Sequence, residues 1–282
     1  MDGTDARGQT SVIGVVLVVA ITIIGVVGIL YFGAVALEEA HVESETDRAE
    51  LAMTQFDSRS SLVALGSSSH QGVSVHLPSG ASLAVDGDRG FMNVSVVDRA
   101  DGSLEFVVVN ATLGAVVYEN EGTTVAYQGG GVWKGTATGG STMVSPPEFR
   151  YRARAGHDPT LTLPLVVVQG EGSLSEDVGI AAVDSTERYP LPASGRTNPL
   201  ERGEVRVTVQ SDYYQAWGAF FEERTDGAVT FDHARRRVSV TLGVRPGAPG
   251  IPGGIVSGAA GGALTFEDQA ETDSYDSGDG NY

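Results

Sequence analysis

The side chains able to do chemistry are few and scattered along the chain. Cysteine is absent, which removes disulfides, thiolate zinc sites, iron–sulfur clusters and thiol nucleophiles together. The five histidines, His41, His70, His76, His157 and His233, form no HExxH pair, so no metal is expected on them. Asp86-Gly87-Asp88 and the tail aspartates Asp273, Asp276 and Asp279 bring hard oxygen atoms close together, as calcium requires. Neither segment has the twelfth-position Glu and following helix of an EF-hand. A hairpin turn and a solvated acidic tail account for them. Gly129-Gly130-Gly131 precedes Val132 with no GK[ST], so it reads as a tight turn between strands and not as a phosphate cradle. Neither G-x-S-x-G nor S-x-x-K occurs, and the expectation is a protein that is no enzyme and holds no cofactor. Two triplets remain, Asn93-Val94-Ser95 and Asn110-Ala111-Thr112. They have the acceptor spacing for N-glycosylation, which matters only on an exported chain.

The elements that must position these residues begin with a composition suited to a salty exterior. The formal net charge is -18, from 36 acidic and 18 basic residues, and it opposes the phosphate backbone of nucleic acid. No nucleic-acid partner is expected. Lys134 is the single lysine, and an acidic, lysine-poor surface stays hydrated and soluble in concentrated salt.

From Ser11 to Leu37 no residue is charged, and roughly 27 residues at 1.5 Å each make a helix of about 40 Å, against about 30 Å of hydrocarbon. The segment can span a bilayer, and in lipid a lone segment satisfies its backbone only as a helix. It is too long for the core of a secretory signal peptide, and no small-x-small site follows it. What precedes it is MDGTDARG, ending in Arg7-Gly8, followed by Gln9-Thr10-Ser11-Val12-Ile13-Gly14.

Arg7-Gly8-Gln9, one or two polar residues, Val-Ile-Gly and an unbroken apolar helix together resemble the class III leader and N-terminal helix of archaeal type IV pilins and archaellins. The resemblance implies that a prepilin peptidase cuts the Gly8–Gln9 bond on the cytoplasmic side and leaves Gln9 as the mature start. It also implies that like pilin subunits pack through the N-terminal helix, and that the rest of the chain lies outside the cell, attached by a single pass. Many such pilins carry Pro where this chain has Ser11 or Val12. Farther on, SRSSLVALG (58–66), YQGGGVWK (127–134), MVSPPEFRYR (143–152), TLTLP (160–164) and SDYYQAWGAFFEER (211–224) resemble a pilin-like family of uncharacterised proteins from salt-loving archaea. That likeness implies architecture and no chemistry.

Beyond Leu37 the helical pattern continues but becomes one-sided. Val35, Val42, Ala49, Phe56 and Val63 recur every seven residues, with Met53 between them and glutamates around. Such a seam suits the outer half of a pilin-type helix, or a surface helix covering part of a β core. Short alternating or β-branched runs such as VSVHL, LEFVVVN, EVRVTVQS and RRVSVTL follow, divided by turn signals. One helix interrupts them: Asp212 is the expected N-cap of YYQAWGAFFEER, whose Tyr213, Trp217, Phe220 and Phe221 share a face that should plug the sheet. The expected organisation is a leader over 1–8, a transmembrane helix over 9–37, an amphipathic extension over 38–66, a β-rich extracellular domain over 67–244 and a disordered Gly/Pro-rich acidic tail over 245–282. Gly170 to Gly203 reads as a long loop or a subdomain hinge. The fold class is thus a long N-terminal transmembrane α-helix followed by a mainly-β ectodomain, a sandwich or rolled sheet, with one packed late helix.

Overall fold

The computed structural model describes residues 5–64, 68, 70–76, 81–120, 122–136, 139–154, 157–175, 177–182, 188–189, 203–243 and 256–268. One long N-terminal helix, α1 (Asp5–Ala64), precedes a mainly β region and a second helix, α2 (Tyr214–Arg224). The chain divides into two compact units, Met1–Asp47 and Arg48–Tyr282. Among its described residues the first is helical throughout.

The second unit is organised by an antiparallel sheet of six strands. Their spatial order is β12 (Glu171–Ser173), β2 (Ser82–Asp86), β5 (Ala115–Asn120), β6 (Thr123–Gln128), β7 (Gly131–Thr136) and β8 (Ser141–Ser145). Side chains alternate across a strand, and here both faces are covered. Ala115, Val117, Ala126 and Trp133 enter one core, whereas Val116, Tyr118, Val125, Tyr127 and Val132 enter the other. Strands buried on both faces need apolar residues at consecutive positions. This is why β5 begins AVVY.

The first core is closed by a five-stranded antiparallel sheet, β16 (Ala228–Asp232), β17 (Arg237–Leu242), β15 (Gly203–Ser211), β3 (Gly90–Asp98) and β4 (Leu104–Thr112), in that order. Its inner residues include Met92, Val94, Val207 and Val240, and α2 adds Trp217, Phe220 and Phe221. Trp133 and Trp217 meet with ring centroids 4.3 Å apart, so α2 plugs the sheet as its aromatic stripe predicts. The outer face is polar: Asn110, Asn93, Thr208, Ser239 and Thr230 follow one another across the five strands.

The second core receives the end of α1, with Ala49, Met53, Phe56, Val63 and Ala64 buried against the central sheet. The seam expected from Ala49, Met53, Phe56 and Val63 is therefore a packing face. Residues Val73, Val166, Val168, Val178 and Ile180 join this core. They come from β1 (His70–Ser74), β11 (Leu165–Gln169) and β13 (Asp177–Ala182).

Three local expectations change. The stretch read as a disordered tail contains β18 (Val256–Asp268), which runs parallel to Leu165–Gln169 in β11 and antiparallel to Val178–Ala182 in β13. Ladder bonds use backbone groups, so a Gly/Ala-rich segment can pair without large apolar side chains. The loop expected over 170–203 contains β12, β13 and the short β14 (Arg188–Tyr189). Asp212 does not cap α2: the N-cap is Tyr213, with no side-chain cap bond. Instead the Ser211 hydroxyl accepts from the Tyr213 N–H at 3.0 Å and the Ser141 hydroxyl from the Ala216 N–H at 3.1 Å. Asp212 is engaged by arginines.

Three glycines, in two connections, show how tightly the strands are joined. Gly129 and Gly130 have φ of 62° and 82° in the two-residue turn joining β6 to β7, the backbone a tight hairpin needs. Gly114 joins β4 to β5, and a Cβ there would lie 2.1 Å from the Val168 carbonyl oxygen and 2.9 Å from the Gly87 Cα. Both obstacles are backbone, so no rotamer change relieves them. Gly114→Ala should lower unfolding stability in urea by about 2–4 kcal/mol. Gly139→Ala, at φ of 87° with open space around it, should cost only about 1 kcal/mol. Equal midpoint shifts would show that the Gly114 connection yields.

Candidate functional site

The first candidate is the surface of the N-terminal helix. Every Val, Leu, Ile, Tyr and Phe from Val15 to Leu37 is exposed, from 44% at Val35 to 74% at Ile29 and Leu37. Keeping such a side chain in water forgoes about 1.5–3 kcal/mol. The Thr22 hydroxyl donates to the Val18 carbonyl oxygen at 2.8 Å and is satisfied within the helix, as lipid would require. Among the described residues, one helix is long and apolar enough to cross a membrane, and it lies near the N-terminus. Cβ atoms added at Gly14, Gly25, Gly28 and Gly33 would meet nothing within 4 Å. The backbone is open at these points. The Gly8–Gln9 bond falls inside α1, and the surroundings of these two residues lie outside what is described.

The second candidate is a charged cleft of about 420 Å³ between sequence-distant turns, lined by Asp86, Asp88, Arg89, Asp212, Arg235 and Arg236 among others. Arg236, a left-handed residue with φ of 48°, donates to Asp212. Arg89 lies 3.6 Å from Asp212 and 3.7 Å from Asp86. Beside it, buried Gln128 uses both ends of its amide: Nε2 donates to the Arg89 carbonyl oxygen at 2.8 Å, and Oε1 accepts from Ser211 Oγ at 2.6 Å. Asp86-Gly87-Asp88 is a turn, with the Asp88 N–H donating to Asp86 Oδ1 at 3.0 Å, but not the hairpin expected: β2 lies in the six-stranded sheet and β3 in the five-stranded one, so the turn carries the chain from one sheet to the other. No group of His, Asp or Glu among the described residues is placed to hold a metal ion.

A third site was missed in the sequence. Asp57, on the α1 face that packs on the central sheet, is only 8% exposed. Its Oδ2 accepts from Ser145 Oγ at 2.6 Å, while Oδ1 has no hydrogen-bond partner among the described residues. Burial raises its carboxyl pKa to about 6, opposed by the Ser145 bond and reinforced by the charge of Glu148. Tyr127 is raised too, first by burial and then by the charge of Asp57. The position continues the buried seam at i+4 from Met53. Nearby, Lys134 Nζ lies 2.7 Å from Glu50 Oε1 and ties the same helical stretch to β7.

The remaining candidates stay apart. His41 pairs with Glu45 at 2.9 Å, one helical turn on. His233 Nδ1 lies 2.8 Å from the Tyr214 hydroxyl, with the Phe231 ring stacked on it. The side chain of His157 and the tail aspartates lie outside the described residues. Asn93 and Asn110 face each other across β3 and β4.

A family model described as a family of unknown function (DUF7289) matches residues 7–247, and the chain belongs to that family. No curated protein and no solved structure matches. The matched span includes the helix, the cleft and Asp57. The buried carboxyl yields a pH dependence with a definite sign. A folded-state pKa of about 6 against an unfolded 3.8 means that Asp57 contributes most stability below pH 4, and that the contribution disappears as pH rises through 6. Two pKa units correspond to about 3 kcal/mol. Asp57→Asn should therefore gain stability relative to wild type as pH rises from 4 to 7, read from paired urea melts. A constant difference over that range would place the charge in water.

Proposed function

We propose that this DUF7289 member is a pilin-like cell-surface structural subunit, attached to the membrane by its N-terminal helix and placing its β-rich unit outside the cell. One observation carries the reading: the helix is apolar and uncovered on every side over 14–37, directly after Arg7-Gly8-Gln9. A helix apolar all round needs lipid or other helices around it. Burying that face against like helices supplies the driving force for assembly, and the open glycine positions allow close backbone approach. The subunit is first held in the membrane and, once cut at Gly8–Gln9 by a prepilin peptidase, becomes available to a surface filament as a minor pilin or pilus-related component. The β-rich unit then serves assembly or adhesion contacts, and its acidic, lysine-poor surface suits the brine of salt-loving archaea. No catalysis is required of it.

The charged cleft favours a second reading, a membrane-tethered ectodomain that captures a partner without entering filaments. Its three arginines and three aspartates match a partner carrying both signs of charge.

In the pilin reading, protein from native membranes begins at Gln9, and Gly8→Leu leaves the uncut chain, heavier by the leader, when intact mass is measured. A Met1 start in wild type, or unchanged processing of the variant, would remove the pilin pathway and leave the tethered ectodomain.

A further inference from the structure

The two glycosylation triplets have the same sequence form, but the fold treats them differently. Asn93 lies on β3, hydrogen-bonded on both sides by β4 and β15. Its amide nitrogen donates to Asn110 Oδ1 at 3.4 Å. The hydroxyl residue of its triplet, Ser95, is 4% exposed and sits in register with Arg206. Asn110 lies on β4, the last strand of the five. Both Asn110 and Thr112 are exposed, and in a strand residues two apart point to the same side. The contact with Asn93 uses the Asn110 oxygen and leaves its nitrogen outside the bond.

We propose that Asn110 is an N-glycosylation site and that Asn93 is not. The transfer requires the amide nitrogen and the hydroxyl two residues on to be reached together. Only the Asn110–Thr112 pair offers that. Nδ2 of Asn110 forms a bond to the anomeric carbon of a saccharide, the glycosyl–phosphate bond of a lipid-linked donor breaks, the lipid phosphate leaves, and the amide proton passes to solvent. The position gives the saccharide a structural role. β4 is a nine-residue edge strand with exposed Leu104 and Val107, at 62% and 46%. Such an edge invites pairing with another chain. Two register shifts against β3 already disrupt the edge toward Leu104, and a bulky hydrated group at Asn110 shields the other end.

The inference rests on the proposed topology, because lipid-linked transfer occurs on the outer side of the membrane. The test is glycopeptide mass spectrometry on full-length protein from native membranes, comparing wild type with Asn110→Gln, Thr112→Ala, Thr112→Ser and Asn93→Gln. Wild type, Thr112→Ser and Asn93→Gln should carry the saccharide mass on the Asn110 peptide, and the other two should lose it entirely. A saccharide on Asn93, or an unmodified Asn110 in a domain that added protease reaches on intact cells, would overturn the acceptor assignment alone. An unmodified Asn110 in a domain protected from that protease would overturn the assignment and the topology together.

Discussion

Alternate side chains of the central six-stranded sheet enter two separate apolar cores, and this double burial dictates what each neighbouring layer must be. Val116 and Val117 are adjacent in sequence and belong to different cores. Neither face of β5 to β7 can be left to water without losing about 1.5–3 kcal/mol per large side chain. One face therefore requires the five-stranded sheet and the aromatic plug of α2, and the other the end of α1 with β1, β11 and β13. Polar groups admitted to these layers differ in how they are satisfied. Gln128 bonds through both ends of its amide, whereas Asp57 Oδ1 finds no partner among the described residues. A buried polar atom without a partner is costly, so Asp57 is where the packing of α1 depends on pH.

The helix α1 has two kinds of surface along its length. Over 48–64 it is one-sided, and its apolar face is used within the fold. Over 14–37 it is apolar on all sides, and among the described residues none of its large apolar side chains is covered. A seam can be satisfied by one sheet, but an all-round apolar surface needs a surrounding apolar medium. This difference in pattern, more than length, supports a membrane role for the first stretch.

The elements that followed one periodicity could be read directly from the sequence. RVSVTL in β17 alternates partly covered and buried as its residues suggest, and the Gly129-Gly130 turn sits where the glycines require it. The α2 stripe and the Ala49–Val63 seam were equally plain. What could not be read depends on distant partners. Asp212 looked like a cap because its neighbours in sequence are helical, yet Arg89 and Arg236 take its carboxylate. The cleft joins turns near residues 88, 211 and 236, with no local signal linking them. β18 pairs with β11 and β13, strands far from it in sequence, so no local pattern announces its place. Asp57 had a signal, its i+4 spacing from Met53, but a carboxylate among many on a helix reads as solvent-facing. The two Asn triplets were visible, and only the strand register separates them.

The absence of cysteine makes one labelling experiment decisive for the proposed division between a lipid-embedded helix and a β-rich unit outside the cell. Single-cysteine chains with Ile24→Cys or Leu104→Cys, expressed in intact cells, are treated with a membrane-impermeant maleimide. The account predicts that the cysteine at 104 reacts on intact cells and that the one at 24 stays unreactive until the protein is denatured. Reaction at 24 with membranes intact, or reaction at 104 only after the cells are broken, would contradict it.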